Sequence, residues 1–464
     1  MEKKKTRGAG NRRKSPPLLE RVNRNAAGID CGSAEHYVAV PPDRDPMRVR
    51  SFRTFTTDLH HLADWLVACG ITTVALEATG VFWIPIYDIL QERGLEVLLV
   101  NARHFRNVAG RKSDVSDAEW LQELHSVGLL RGSFRPAAEI TTLRAYLRHR
   151  DTLVQSASTM VNRMQKALVQ MNLHLHVVIA DITGTTGLRI LRDIVRGVTE
   201  PAVLAKHRDT RCRASEADIA AALTGYYRPE HVFALRQHLE SFDTYQAQMQ
   251  ACDTEVEVLL KALTAAKPST TPPEPRPGAV RKARRNEPRF EVRLPLYQLA
   301  GVDLTGIDGI GPYSALRLLS EIGTDMTRWP TERHFTSWLT LAPRNRISGG
   351  RLLGSTTAPS ANRAAAILRM ASVAVGKTQT ALGAFYRRLA YRVGKPKAVT
   401  ATARKLAVLV YRHLKGEIAY HDIGAAAYEA RQRERSVKAL TRRARNLGFA
   451  LVDTATGEVL GGVS

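Results

Sequence analysis

Asp114 and Asp117 stand three residues apart in GRKSDVSDAEWLQEL, just ahead of an apolar-periodic run. At that spacing both lie on one face of a helix start. They can simply cap and charge the helix, or they can be half of a metal site. Asp30 in AAGIDCG and Glu77 in TTVALEATG each stand at the end of a short apolar run and are the candidates for the other half. Four uncompensated carboxylates in one cleft would repel and raise each other's pKa. Divalent ions relieve that repulsion. Mg²⁺ or Mn²⁺ takes hard oxygen ligands, and a pair of ions can stabilise both the attacking and the leaving oxygen at a phosphodiester. Taken singly, each acid reads better as a turn residue, a strand-end surface acid or a helix cap. Taken together, in this order on these elements, the metal site is the stronger reading.

The elements that must position these acids form an α/β region over residues 26–135. AAGIDCG, HYVAVPP and MRVRSF read as strands, the last two separated by the turn-rich PDRDP. TTDLHHLADWLVACG reads as a helix with Thr57 or Asp58 as its cap and Gly70 as its stop. TTVALEATG is a strand, WIPIYDILQERG a helix and LEVLLV a fully buried strand. The order β-β-β-α-β-α-β, with antiparallel leading strands followed by βαβ units, is that of ribonuclease-H-like folds. In such a sheet the strands ending at Asp30 and Glu77 are neighbours. A helix beginning at Asp114 and packed across the same edge would bring the four acids together.

From Glu139 the period changes. Leu143, Leu147, Val154, Ala157, Val161, Met164, Leu168, Met171 and Leu175 follow steps of three and four, with Arg150 filling the one gap. A second seam runs Leu235, Leu239, Phe242, Met249, Val256, Leu260 and Leu263, with Gln246 and Asp253 as polar intrusions. Two heptad seams around a helical insert predict an antiparallel coiled-coil arm over residues 136–266, the alternative being two helices that pack on a globular core. The length of these apolar faces suggests that the arms join protomers. Residues 267–295 form a Pro/Arg-rich linker whose cluster Arg281, Lys282, Arg284 and Arg285 suits phosphate. Residues 296–420 are mainly helical. There Gly306, Gly309 and Gly311 precede an apolar helix in LTGIDGIGPYSALRLLSEIG. The backbone N–H groups around Gly309 and Gly311 could meet a phosphate, as in a helix-hairpin-helix, although a tight turn is the simpler reading. Residues 421–464 carry a basic run, Arg431 to Arg445, read as an exposed helix.

The chain has 464 residues, with 68 Lys plus Arg against 44 acids, a formal charge of +24. Such an excess favours polyanions, nucleic acid above all. Arg144, Arg148, Arg163 and Lys166 flank the first seam and are candidates for backbone contacts to nucleic acid. No apolar stretch is long enough to span a bilayer. The first 25 residues, beginning MEKKKTRGAGNRRKSPP, are basic without the apolar core of a signal peptide, and read as a disordered arm. The four cysteines never form CxxC, so a reducing cytoplasm fits best.

Across most of residues 26–414 the chain resembles the IS-one-ten family of insertion-sequence transposases, RNA-guided "bridge" recombinases. GIDCGSAEHYVAV, VALEATGVFW, NARHFRNVAGRKSDVSDAEWLQELHSVGLLRGSF, GIDGIGPYSALRLLSEIG and LAPRNRISGGRLLGSTT carry the resemblance, through their order and spacing. It implies a RuvC-like domain, a coiled-coil arm and a C-terminal transposase domain. The family's DEDD tetrad falls on Asp30, Glu77, Asp114 and Asp117, and its nucleophilic serine on Ser348. By composition alone ISGG is a turn, but Arg344, Arg346 and Arg351 could hold a phosphate beside the hydroxyl. The resemblance further implies a pair of Mg²⁺ or Mn²⁺ ions, donor and target duplex DNA, and a structured non-coding guide RNA. It also implies a homo-oligomer, dimer or tetramer, in which the acids of one protomer act with the serine of another. Two alternatives use the same residues differently: a metal-dependent RuvC-like nuclease or junction resolvase that hydrolyses with water, and a non-enzymatic nucleic-acid scaffold with structural acids.

Overall fold

The computed structural model describes residues 20–78, 80–101, 114–268, 270–274 and 284–460, apart from the side chains of Asp114 and Ser116. The basic N-terminal stretch up to residue 19, and Arg281 and Lys282 of the linker, lie outside the described residues. The chain divides into two compact units, one up to Arg135 and one from Pro136 onward.

The first unit is built on a five-stranded sheet of order β3-β2-β1-β4-β5. Its strands are β1 (Ala26–Cys31), β2 (Glu35–Ala39), β3 (Val49–Arg53), β4 (Thr73–Glu77) and β5 (Glu96–Val100). β1, β2 and β3 pair antiparallel, while β1–β4 and β4–β5 are parallel. The parallel strands are reached through α1 (Thr56–Ala68) and α2 (Trp83–Glu92). One face of the sheet buries Ile29 and Leu76 with Leu62, Leu66, Ile86 and Leu90. The other buries Ala75 and Val100 against Leu121 of α3 (Asp114–Ser126). Covered on both faces, β1 and β4 are apolar almost throughout, as parallel central strands must be. The expected cap of α1 is corrected: the helix begins at Thr56, with Phe55 at the N-cap and no side-chain cap. Thr57 and Asp58 fall inside the first turn, where Asp58 still favours the helix dipole.

The second unit opens with two long helices, α4 (Ala138–Gln170) and, after the short helices α5 (Leu175–Val178), α6 (Thr185–Val195), α7 (Pro201–Ala205) and α8 (Glu216–Ala222), α9 (Pro229–Thr264). They run antiparallel. Arg150 of α4 meets Asp253 of α9, and at the other end Tyr226 N donates to Met171 O at 2.8 Å. α4 stops at Gln170, so Met171 and Leu175 leave the seam and pack, with Leu173, into the core with the insert helices. Leu143, Leu147, Met164 and Leu168 on one helix, and Leu235, Leu239, Phe242 and Met249 on the other, are already buried within one chain. The seams therefore partner each other, and the reason for expecting them to join protomers falls away.

The rest of the unit comprises α10 (Arg293–Ala300), α11 (Pro312–Ile322), α12 (Glu332–Trp338), the hairpin β6 (Arg344–Ser348) and β7 (Arg351–Thr356), then α13 (Arg363–Val375), α14 (Ala381–Val393), α15 (Lys395–Leu414), α16 (Gly424–Asn446) and the two-residue strands β8 (Leu451–Val452) and β9 (Val459–Leu460). α16 buries none of its residues. Among the described residues no helix is long and apolar enough to cross a membrane.

Two of the three polar flaws in the seams, Arg150 and Asp253, turn out to be one feature. Arg150, 2% exposed, donates from Nε and Nη2 to the two oxygens of Asp253, at 2.5 and 3.1 Å. Its Nη1 donates to Asn286 O at 2.9 Å and Tyr313 Oη at 3.0 Å. One guanidinium thus ties α4 to α9, to the linker and to α11. Removing one partner of such a pair strands the other charge. Arg150→Ala is expected to cost about 3–5 kcal/mol in urea unfolding, whereas the apolar pair Arg150→Met with Asp253→Leu should be close to neutral. Equal losses in both proteins would show that the pairing is not what matters.

Candidate active site

Asp30 and Glu77 close neighbouring parallel strands. The β1–β4 register runs from Ala26 opposite Thr73 to Ile29 opposite Leu76, so the next step sets Asp30 beside Glu77. Side chains alternate along a strand, and paired residues share a face. Gly28 and Asp30 therefore point to the side of the sheet that α3 covers, as do Ala75 and Glu77. Asp30 is half-buried and Glu77 is 3% exposed. The thiol of Cys31 is held well above its usual range, first by burial and then by the negative charges of Asp30 and Glu77. The edge is thus electronegative and partly dry.

α3 runs antiparallel to β1 across this face. Asn23 N donates to Ser126 O at 2.9 Å, and Gln122 Nε2 donates to Ala26 O at 3.2 Å and to Ser126 Oγ at 2.7 Å. The backbones nearly touch: a Cβ on Gly28 would lie 2.4 Å from Gln122 N and 2.6 Å from Ala118 O. Only glycine permits that approach. Gly28 is a positioning residue that the sequence reading passed over, and its signal was a glycine inside a strand. Continuing the antiparallel run, the start of α3 with Asp114 and Asp117 lies toward the end of β1 that carries Asp30. Asp117 is half-buried, and the side chain of Asp114 is outside the described residues. Among the described residues the structure brings Asp30 and Glu77 together, without Asp117 completing a group of three.

His125 helps pin α3 to the sheet. Its Nε2 lies 2.9 Å from Thr73 Oγ1, its carbonyl accepts from Asn23 Nδ2 at 2.8 Å, and it is 4% exposed. Burial pushes its pKa down from 6.5 to about 4. Between these values the unfolded chain carries the extra proton, so stability is full above pH 6.5 and is lost as pH falls toward 4. The expected loss is roughly 3 kcal/mol. His125→Gln should flatten that slope in urea titrations at pH 7 and pH 4.5; an unchanged slope would place its origin elsewhere.

Ser348 sits at the tip of the β6–β7 hairpin. Ser348 pairs with Arg351 across a two-residue turn of Gly349 and Gly350, both at positive φ, +54° and +74°. That is the type I′ geometry, which glycine fills without strain. The hairpin is exposed almost throughout, including Ile347, Leu352 and Leu353. Among the described residues Arg344, Arg346 and Arg351 make no ion pair and no side-chain hydrogen bond, so three guanidiniums stand free on the serine's hairpin, Arg351 on the residue paired with Ser348.

The other candidate contacts divide. Arg163 and Lys166 are exposed on α4. Arg144 and Arg148 are committed inside the chain. Arg144 donates to the carbonyls of Ser320 and Glu321 at 3.1 and 2.8 Å, and Arg148 grips both carboxylate oxygens of Glu321 at 2.9 and 2.7 Å. These two hold α4 to the end of α11, a use that spacing along α4 could not reveal. Arg285 likewise pairs with Asp181 at 2.8 Å and lies over the ring of Phe242. Gly309 has φ +87°, and a Cβ there would lie 2.7 Å from Ala371 O, so this glycine lets the turn press against α13. Gly311 is the N-cap of α11.

Residues 27–173 match the DEDD transposase model of the IS110 family, described as Transposase. Residues 303–387 match a second, described as Transposase IS116/IS110/IS902 family. Together the two matches span half of the chain. The chain is an IS110-family transposase. Its first match runs from β1 to just past α4 and includes Asp30, Glu77, Asp114 and Asp117. The second includes Gly309, Gly311 and the whole hairpin with Ser348. No curated protein matches the chain. Membership makes this transposase a DNA recombination enzyme, which sets aside the scaffold alternative, and a DEDD-type domain implies divalent metal. The donor chemistry at the sheet edge fits that requirement: hard carboxylate oxygens, one of them almost fully buried, side by side on adjacent strands.

Proposed function

We propose that this transposase cuts and rejoins DNA through two half-sites, the four acids of the first unit and Ser348 of the second, with its sites chosen by a guide RNA. The observation that carries the reading is Ser348 at an exposed hairpin tip, on a hairpin that carries three guanidiniums uncommitted among the described residues. Ser348 Oγ attacks the phosphorus, the bond to one flanking nucleotide oxygen breaks, and that nucleotide leaves with a hydroxyl. The phosphoserine ester keeps the bond energy, so a hydroxyl of another strand can reverse the step without an external energy source. Arg351 beside the serine, with Arg346 and Arg344 farther along the hairpin, holds the phosphates of the strand and offsets their charge. They cannot take the Oγ proton at neutral pH, so the proton passes to a group outside the hairpin. Asp30, Glu77, Asp114 and Asp117 would hold Mg²⁺ or Mn²⁺, which supplies Lewis-acid stabilisation of the phosphoryl oxygens.

The guide RNA and the DNA duplexes meet a strongly basic chain. Arg163 and Lys166 on α4 and the basic face of α16 are the exposed candidates for backbone contact, while base pairing supplies sequence choice. A homo-oligomer, dimer or tetramer, lets the acids of one protomer serve the serine of another. The direct test is recovery of a DNA-linked peptide after proteolysis of a reaction with guide RNA and both DNA partners. Linkage at Ser348 supports the reading. Cleaved DNA with no linked protein supports the hydrolytic alternative and overturns it.

A further inference from the structure

A cavity of about 810 Å³ opens in the second unit between α12, the foot of the hairpin and α15. Arg333, Lys397 and Arg404 line it, and among the described residues none of the three has an ion-pair or side-chain hydrogen-bond partner. Lys405 adds a fourth cation, 4.4 Å from the ring centre of Phe385 in the wall. The one acid in the lining, Glu332, is already engaged by Arg412 Nη2 at 2.9 Å. Four cations around one concavity, against a single lining acid whose carboxylate Arg412 already holds and which feels Arg333 more weakly, call for an anion. The rest of the wall is largely apolar, with Leu341, Pro343 and Val408. A phosphate alone would leave that surface wet; a phosphate attached to a flat apolar ring system would cover it.

We propose that this cavity binds an unstacked nucleotide of a DNA strand, its base against the apolar wall and its phosphate among Arg333, Lys397 and Arg404. The proposal rests on the reading that Ser348 attacks DNA, and adds where the strand is held. A base stacked in a duplex cannot enter a concavity, so the bound nucleotide must be unpaired. The cavity shares Ser355 and Thr356 with β7, and Thr356 pairs with Arg344 at the start of β6. Ser348 lies four residues further along β6, about 14 Å at strand spacing. A strand anchored in the cavity can therefore pass along Arg344, Arg346 and Arg351 to the serine within a few nucleotides. That shared strand favours DNA over RNA as the occupant.

The test uses the full chain carrying Ser348→Ala, so that binding is read without chemistry. Affinity is measured at one salt concentration for a labelled DNA hairpin with a single unpaired thymine, for the same hairpin fully paired, and for the RNA equivalent. Two further changes are made on this background: Lys397→Ala with Arg404→Ala, and the charge-neutral cavity filler Thr400→Trp. Each should weaken binding to the bulged DNA about tenfold and to the paired DNA less than about threefold, with RNA unaffected. Thermal unfolding checks the fold; if the tryptophan variant is misfolded, the double variant, at exposed Lys397 and half-buried Arg404, decides. Unchanged affinity for the bulge overturns the proposal. So does an equal loss on paired DNA, which marks a general basic surface, and so does a loss on RNA alone. Because the nucleophile is absent, failure here leaves the Ser348 chemistry standing, and failure to find a Ser348 adduct in the unmodified protein leaves this binding result intact.

Discussion

Ser348→Ala is expected to remove the protein–DNA adduct entirely and to lower strand transfer by about 10³-fold or more. The melting temperature should not move. The serine is exposed at the hairpin tip, and the turn geometry belongs to Gly349 and Gly350. Truncating a surface hydroxyl of this kind changes stability by less than about 0.5 kcal/mol. RNA and DNA affinities should hold as well, since Arg344, Arg346 and Arg351 are untouched. A denaturing gel of reactions with end-labelled DNA reads the adduct directly. A labelled protein band persisting in the Ser348→Ala reaction would mean that another residue is the nucleophile.

The second large effect is expected at the sheet edge. Asp30→Asn and Glu77→Gln keep the shape of each side chain and remove its charge. Each should reduce strand cleavage by about 10³-fold. Activity alone would not separate a metal ligand from a residue needed for folding, so thermal unfolding with and without Mg²⁺ provides a second reading. An ion that binds only the folded chain raises its melting temperature by mass action. That rise should be present in the unmodified protein and absent in Asp30→Asn. A variant that keeps the full Mg²⁺-dependent rise would remove Asp30 from the ligand set. Mixing Asp30→Asn with Ser348→Ala protein should restore part of the activity, because a mixed oligomer can assemble one site from an intact acid set and an intact serine.

The sheet was legible because its signals are local. Alternation, turn residues and helix stops over a dozen residues at a time suffice to order β1 to β5 and to put Asp30 and Glu77 at strand ends. The start of α1 was misjudged because Thr57 and Asp58 are good caps in isolation, and the helix begins without a side-chain cap. Ser348 was not legible from physical chemistry, since a serine before two glycines is what any tight hairpin would carry; only the family resemblance pointed to it. Arg144 and Arg148 defeated the reading for a different reason. Their partner Glu321 lies more than 170 residues away, and no periodicity along α4 encodes it. Arg150 and Asp253 were visible only as blemishes in two separate seams. The fold converts the two blemishes into one pairing, which also selects the register of the long helices, because sliding either helix by a turn would bury both charges alone.

The cluster around Arg150 also has a mechanical side. Arg144, Arg148, Arg150 and Asp151 all engage α11 or its flanks near the beginning of α4. The remainder of α4, from Asp151 to Gln170, runs on for about 30 Å with α9 alongside and carries the insert helices at its far end. α11 and its contacts therefore act as a fulcrum and the helix pair as a beam. A tilt of about 5° at the fulcrum carries the far end roughly 2–3 Å, about one hydrogen-bond length. Nucleic acid gripped at the distal end of the beam would thus be felt, as torque, at the base of the unit that holds the serine hairpin.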